Sequence, residues 1–217
     1  STGAEFSMYG GSICGNTGAE GNYGVGLCLY NDNGKHQIRG GKIYENKTVA
    51  YDSPEGVGVY VSFGNLTISG AVEIYDNKRG TENDNIYMPW NLNQECIIID
   101  GELTNTTPIG VWARYEDVVI KADGTNVTDL TEYIDNFTPD NTGRVLQLSV
   151  DKQSIKLLPP HIHPICGGAH SDIGDHTGNC EDITWTAVST EADLKSMMSG
   201  GSYYLKNDIE LTSTLFV

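Results

Sequence analysis

The chain has 217 residues, with 13 basic residues against 29 acidic ones and a formal net charge of −16 at pH 7. This charge argues against nucleic acid and anionic membranes as partners, because both repel an acidic surface. The composition, with 26 glycines and 12 tyrosines and without a long apolar run, predicts short strands joined by tight turns and no membrane span.

One phrase returns three times in the first third of the chain, as FSMYGGSICGN, HQIRGGKIYEN and LTISGAVEIYDN. A second phrase lies between its copies, as GVGLCLY, GVGVYVS and the weaker DNIYM. The period of about thirty residues, with alternating apolar positions and no helical-repeat signature, predicts an all-β parallel β-helix. We expect one inserted residue in the third copy, at or near Val72.

Equivalent positions of the copies are expected to stack on one another. The predicted columns are Phe6, His36 and Leu66; Met8, Ile38 and Ile68 facing the core; Gly10, Gly40 and Gly70; Ile13, Ile43 and Ile74 facing the core; and Asn16, Asn46 and Asn77 hydrogen-bonded in a turn. The repeated glycines should lie at corners that need a positive φ or a close backbone approach. The phrase is thus interpreted as architecture rather than chemistry.

The β-helix domain is predicted to span residues 1–160, with about four to five coils. After Leu103 the phrase ends, and VLQLSV and SIKLL are expected to form a hairpin across Asp151-Lys152-Gln153 that closes the solenoid. Pro159-Pro160 marks the predicted boundary.

A Cys/His-rich linker is predicted over residues 161–182. His163, Cys166, His176 and Cys180 could supply the four ligands of a structural zinc ion. The alternative is a Cys166–Cys180 disulfide that leaves the histidines free. The residue spacing does not decide between the two.

Residues 183–217 are predicted to form a helix cap and the first strands of a second, truncated β-helix. Thr190 is the expected N-cap with Asp193 three residues later, Leu194, Met197 and Met198 share one helix face, and Gly200-Gly201 ends the helix. Because the sequence starts within a repeat and stops within a strand-like run, we expect a segment of a longer protein.

The phrases xxIxGGxIxxN, GVGVYV, LTxTxPIGV and FTPDNTGRVLQL, with the tail HxHPICGG, resemble right-handed β-helix repeat proteins of the cell surface of gut Firmicutes, which are pectin-lyase-like in fold. The resemblance covers nearly the whole chain. It implies an extracellular, adhesin-like stalk on a bacterial surface, with a glycan or a host surface protein as partner and further β-helix domains in the parent chain.

The alternative function is a polysaccharide lyase or glycoside hydrolase of the same fold class. The resemblance implies that a lyase of this kind would hold Ca²⁺ with several carboxylates beside a basic residue. A hydrolase would need paired aspartates. The coil phrases carry no carboxylate column. Asp76, Glu82 and Asp84 are interpreted as a solvated turn and Arg39 with Lys42 as a solvated pair, so we expect no catalytic residue.

Tyrosines are the candidate binding residues. Tyr9, Tyr44, Tyr60 and Tyr75, followed by Tyr87, occupy predicted outward or corner positions of successive coils. Such side chains can stack on sugar rings. The alternative is that they only cover the outer face of the β-helix.

Overall fold

The computed structural model describes residues 5–19, 22–30, 35–49, 56–89, 96–115, 117–141, 143–159, 161–162, 169–170, 185–197, 201–205 and 208–213. The chain divides into two compact units, Ser1–Pro159 and Pro160–Val217.

The first unit is built from short strands that follow one another around successive coils. These are β1 (Phe6–Cys14), β2 (Leu27–Tyr30), β3 (His36–Tyr44), β4 (Lys47–Thr48), β5 (Val59–Phe63), β6 (Leu66–Tyr75), β7 (Lys78–Arg79), β8 (Glu82–Asn83), β9 (Ile86–Met88), β10 (Ile97–Leu103), β11 (Ile109–Ala113), β12 (Val118–Ala122), β13 (Phe137–Pro139), β14 (Val145–Leu148) and β15 (Ser154–Leu158). A 3-10 helix, Ile134–Asn136, precedes β13.

The strands stack into sheets along the axis of a solenoid. A seven-stranded sheet has the order β1-β3-β6-β10-β12-β15-β14, a five-stranded sheet the order β13-β11-β9-β5-β2, and a three-stranded sheet the order β4-β7-β8. Strands of consecutive coils pair in parallel, whereas β15 and β8 pair antiparallel to their neighbours. The all-β parallel solenoid is therefore confirmed, with about four turns.

The register between coils matches the predicted apolar columns, whereas the predicted column of Gly10, Gly40 and Gly70 is wrong, because Gly40 pairs with Tyr9 and Ala71. The inward positions align as Phe6, His36, Leu66 and Ile97; Met8, Ile38, Ile68 and Ile99; and Ile13, Ile43 and Ile74. The middle members of these columns, such as Ile38 and Ile68, are fully buried. The core thus runs along the inside of the coils, as the repeated apolar alternation predicts.

The glycines of the first phrase lie where the long strands bend. Gly41 has φ 100° and Gly70 has φ 75°, conformations that favour glycine over other residues. The register between β3 and β6 slips at this corner, because Ile38 pairs with Ile68 but Gly40 pairs with Ala71. The inserted residue of the third copy therefore lies between Ile68 and Ala71, slightly before the predicted position near Val72.

The end of the solenoid is closed by the predicted hairpin. β14 pairs antiparallel with β15, and β15 pairs antiparallel with β12 of the last coil. Lys152 takes a positive φ of 60° in the turn between the two strands. Reversal of chain direction at this edge ends the parallel stacking of coils, and β14 becomes the terminal strand of the seven-stranded sheet.

The second unit contains β16 (His161–Ile162), β17 (Ala169–His170), β18 (Trp185–Val188), helix α1 (Glu191–Lys195) and β19 (Ser202–Leu205). The predicted capping box is present, because Thr190 Oγ1 accepts from Asp193 N and Asp193 Oδ2 accepts from Thr190 N. The helix is shorter than predicted. Ser196 closes it with hydrogen bonds to Ala192 and Asp193, so Met197 lies beyond it and Met198 lies outside the described residues.

Within the part of the chain that the structure describes, no helix combines the length and the apolar character needed to cross a membrane.

One core position is occupied by a histidine. His36 lies in the column between Phe6 and Leu66 and is only 4% exposed. Neither imidazole nitrogen has a hydrogen-bond partner among the described residues. Burial lowers the pKa of His36, and the charge of Glu5 opposes this effect. The neutral imidazole is therefore the form that the folded core accepts.

We expect His36 to make stability fall as the pH drops. Its pKa is lower in the folded chain than the unfolded value of about 6.5, so the unfolded chain binds the extra proton. The loss begins near that pH and grows by up to about 1.4 kcal/mol per pH unit. The His36→Leu variant, which extends the Leu66 column, should lack this loss when urea unfolding is compared at pH 8 and pH 5.

Asp140 has the opposite effect on the pH dependence of stability. Burial raises its pKa to about 6, so its contribution to stability rises as the pH falls through that value. Asp140 is present in both proteins, so the difference between the two pH profiles isolates His36. Parallel profiles for the two proteins would show that His36 is already protonated or solvated in the folded chain.

Candidate functional site

An aromatic column crosses the outer face of the five-stranded sheet. It consists of Tyr23, Tyr60, Tyr87 and Trp112, and the last three are register partners on β5, β9 and β11. Neighbouring ring centroids lie 4.7 Å, 5.8 Å and 5.0 Å apart, from Tyr23 to Trp112. The column therefore brings one aromatic side chain from each of four coils into a continuous contact.

The alternation of the strands explains why these rings face outward. In β5, Val59 and Val61 on either side of Tyr60 are buried in the core. Tyr60 consequently projects from the opposite face of the strand. Tyr23 precedes β2 and covers Tyr60 at an interplanar angle of 36°.

Exposure differs along the aromatic column. Tyr23 is 49% exposed and Tyr87 is 7% exposed, while Tyr60 and Trp112 are half-buried. Burial raises the pKa of Tyr87 to about 12 and also raises the pKa of Tyr60. Both phenols are therefore neutral at physiological pH. The buried ring of Tyr87 packs between those of Tyr60 and Trp112. The other three rings are accessible to a ligand.

The predicted tyrosines do not form one surface. Tyr60 and Tyr87 belong to the aromatic column, whereas Tyr44 and Tyr75 stack on each other in the seven-stranded sheet, with centroids 5.5 Å apart and an interplanar angle of 10°. Tyr9 is 70% exposed on β1, where its hydroxyl accepts from Gln37 Nε2 at 3.3 Å. The prediction thus combined residues from different sides of the coil.

The basic residue Arg39 is not the solvated cation that the sequence suggested. Its guanidinium makes two hydrogen bonds to the Asp100 carboxylate, at 2.6 Å and 3.0 Å, and a third to Ser69 Oγ at 2.9 Å. Arg39 belongs to the second coil, Ser69 to the third and Asp100 to the fourth. This side chain therefore joins three coils across the outside of the seven-stranded sheet.

Three carboxylates take part in contacts between coils: Glu73 and Asp84 are buried, and Asp140 is half-buried. Glu73 accepts from Thr106 N and Oγ1, both at 2.8 Å, and from Thr107 N at 3.3 Å. Burial pushes the pKa of Glu73 up, but these hydrogen bonds outweigh it and hold the pKa below its usual range.

The interpretation of the loop around Asp84 as a solvated turn is wrong for Asp84 itself. Its side chain is 1% exposed, accepts from Gly56 N at 3.0 Å and lies 3.6 Å from Arg79 Nε. Glu82 in the same loop is exposed, as predicted, and pairs with Arg79 at 2.9 Å. Asp84 is buried because the loop returns to the third coil at this residue. Its carboxylate then lies against the backbone of Gly56 in the second coil.

An asparagine ladder runs through the turn that follows the first phrase. Asn16 Nδ2 donates to Asn46 Oδ1 at 2.8 Å, and Asn46 Nδ2 donates to Asn77 Oδ1 at 2.8 Å. The predicted ladder is thus confirmed. It continues beyond the prediction, because Asn77 Nδ2 donates to Asn85 Oδ1 at 3.0 Å and Asn85 donates to the carboxylate of Asp140.

The ladder also explains the second glycine of the second phrase, Gly26 in one copy and Gly58 in the next. A Cβ atom at Gly58 would lie 2.7 Å from Asn77 Nδ2 and 2.5 Å from the carbonyl oxygen of Asn85. Any side chain there would displace the ladder, since real Cβ atoms do not approach so closely. The two phrases therefore repeat together because a glycine of the second phrase leaves the space that an asparagine of the first phrase occupies.

The predicted zinc or disulfide residues, His163, Cys166, His176 and Cys180, lie outside the described residues. Within the described ranges, no group of three or more His, Cys, Asp or Glu side chains is placed to hold a metal ion. The structure therefore bears on neither the zinc nor the disulfide, and both stay predictions.

The sequence missed two members of the aromatic column. Trp112 could have been found, because GVW in PIGVWAR matches GVY in GVGVYV. Tyr23 stands in a loop and has no repeated position, so no signal marks it. Asn85 lies in DNIYM at the position of Gly58, so the repeat gives no sign of an amide there, and Asp140 lies in a segment that carries neither phrase.

No family model matches the sequence, and neither the curated proteins nor the solved structures contain a match to it.

Proposed function

We propose that this chain is a non-catalytic, adhesin-like module of a bacterial cell surface that binds glycan through the aromatic column. The supporting observation is the row of four contacting rings from four coils, three of which are accessible. Aromatic rings offer apolar faces to the C–H faces of sugars, and phenol and indole groups add polar contacts at the rim.

The arrangement favours an extended glycan over a single sugar. The accessible rings belong to different coils and therefore follow one another along the solenoid axis. Tyr60 and Trp112 lie on paired strands, and the ring of Tyr23 packs on that of Tyr60, which preorganises the surface before a ligand arrives. A chain of sugar units lying along the axis would contact Tyr23, Tyr60 and Trp112 in turn.

The charge of the chain favours a neutral or amino-sugar glycan. A net charge of −16 repels uronic-acid and sulfated polymers. The carboxylates of Glu73, Asp84 and Asp140 are engaged in contacts between coils, which supports a binding module over the alternative polysaccharide lyase or hydrolase.

We expect Tyr60→Ala and Trp112→Ala to weaken glycan binding by about tenfold each, because each removes about 1.4 kcal/mol of stacking. A glycan array would identify the ligand, and isothermal titration calorimetry would measure its affinity for each variant. Circular dichroism would verify that the variants remain folded.

The matched control is Tyr9→Ala, which removes a more exposed tyrosine from a different sheet. Its affinity should equal that of the parent chain. Retention of full affinity by both column variants, or equal loss in Tyr9→Ala, would contradict the proposed site. Binding of a host protein without any glycan would contradict the ligand class.

A further inference from the structure

A further pair of aromatic rings lies on the outer face of the five-stranded sheet, beside the aromatic column. Tyr30 at the end of β2 and Phe63 at the end of β5 are register partners. Their ring centroids are 5.6 Å apart and their planes meet at 85°, so the edge of one ring faces the other. Tyr30 is 72% exposed, Phe63 is half-buried, and neither belongs to the apolar core. The pair is therefore a feature of the outer surface.

A β-bulge in β5 turns Phe63 outward. Leu29 pairs with Val61, but Tyr30 pairs with Phe63, so β5 carries one extra residue at this point. Val61 and the extra residue Ser62 are both buried. Regular alternation would turn the serine outward, and the bulge places the phenylalanine there instead. The irregularity of the strand thus brings a second aromatic ring to the face that carries the aromatic column.

The Tyr30–Phe63 pair is displaced from the aromatic column along the strands. Cys28 is the register partner of Tyr60, and Tyr30 lies two residues beyond Cys28 on β2. Two residues correspond to a displacement of about 6–7 Å along a strand. Burial is the main cause of the raised pKa of Tyr60, and the nearby phenol of Tyr30 adds to it. Over the first two coils the aromatic surface is therefore two rings wide.

The direction of the aromatic column decides which part of a bound sugar would reach this pair. A linear glycan lying along the solenoid axis has its linkages at opposite ends of each sugar ring, in line with the axis. The substituent next to the anomeric carbon points sideways, which is the direction of the strands. From a sugar stacked on Tyr60 it would reach Tyr30 and Phe63. Aromatic rings at that place favour a methyl group over a hydroxyl or ammonium group, because a polar group loses its hydration there.

We propose that Tyr30 and Phe63 are specificity-determining residues that select an N-acetylated amino-sugar glycan at the aromatic column. This inference rests on the proposed function, because it names the sugar that the column binds. The acetamido methyl group packs against the two rings, and the exposed hydroxyl of Tyr30 donates to the acetamido carbonyl oxygen. Acetylation makes the amino sugar neutral, so the net charge of −16 does not oppose its binding.

Two tetrasaccharides with identical β-linkages provide the test, because they differ only in this substituent. One is the tetramer of N-acetylglucosamine and the other is the tetramer of glucose. Isothermal titration calorimetry should show that the parent chain prefers the acetylated tetramer by about tenfold, as expected for one additional apolar group in a pocket. Tyr30→Ala and Phe63→Ala should each reduce this preference, by weakening the acetylated tetramer more than the glucose tetramer.

The matched control is Tyr60→Ala, which should weaken both tetramers in proportion and keep the preference. Circular dichroism would verify folding, and the largely exposed position of Tyr30 keeps the test valid if Phe63→Ala does not fold. Equal affinity of the parent chain for the two tetramers would overturn this inference, as would a preference that survives the loss of Tyr30. Both results leave the proposed function standing.

Binding of neither tetramer, with another glycan held through Tyr60 and Trp112, would also overturn this inference alone. The proposed function itself fails on a different result, which is a glycan affinity that neither Tyr60→Ala nor Trp112→Ala lowers. The two hypotheses therefore depend on separate variants, since Tyr30 and Phe63 determine the preference and the column determines the affinity.

Discussion

Replacing Ile38 with aspartate should unfold the solenoid. Ile38 is fully buried between Met8 and Ile68 in the central column, and no basic side chain belongs to that column. A carboxylate there would lose its hydration without gaining a partner, at a cost of several kcal/mol against a total stability of about 5–15 kcal/mol. Far-UV circular dichroism of the purified variant should show loss of the β signal.

Two controls separate the buried charge from other effects of substitution. Ile38→Val should remain folded, with a loss of about 0.5–1.5 kcal/mol for the missing methylene group. Gln37→Asp places the same charge one residue earlier on the outward face of β3, and should cost roughly 1 kcal/mol or less. A folded, β-rich Ile38→Asp protein would show that the coil alignment is wrong.

The coil columns were predictable because the solenoid imposes the same environment at every turn. Ile38 and Ile68 meet the same neighbours one coil apart, so selection of one residue type at one position repeats at the next. The Asn16, Asn46 and Asn77 ladder was predictable for the same reason, since each amide must bond the coil on either side. A period in the sequence is thus direct information about contacts.

Contacts outside the period were not predictable from it. Asp140 ends the ladder by accepting from Asn85, fifty-five residues away, and it belongs to a segment that carries neither phrase. Arg39 reaches past the neighbouring coil to Asp100. Such contacts depend on how loops and non-repeating coils fill the ends of the solenoid, which local alternation does not specify.

Two of the four residues of the aromatic column, Tyr60 and Tyr87, were predicted from the sequence as outward-facing. The outward position of Tyr60 follows from alternation with Val59 and Val61. The sequence does not tell which outward residues share a side of the coil, because this depends on where each chain segment turns. Tyr44 and Tyr60 therefore resembled one surface in the sequence but lie in different sheets.

Removing the central asparagine of the ladder should be the most damaging polar substitution. Asn77 is fully buried, accepts from Asn46 N and Nδ2, and donates through Nδ2 to the carbonyl oxygens of Ile43 and Tyr75 and to Asn85 Oδ1. Asn77→Ala would leave these buried groups without their partner. We expect a loss of about 3–5 kcal/mol in urea unfolding, from several hydrogen bonds at roughly 1 kcal/mol each and the burial of unsatisfied groups.

The same substitution at the exposed end of the ladder provides the comparison. The Asn16 amide donates to Asn46 Oδ1 and lies at the surface, where water can replace the lost contact, so Asn16→Ala should cost about 1 kcal/mol. The ratio between the two variants tests the ladder itself, because both remove the same chemical group from equivalent turns. Equal losses at the two positions would mean that the turn tolerates any small residue and that the coils are held together by their apolar columns alone.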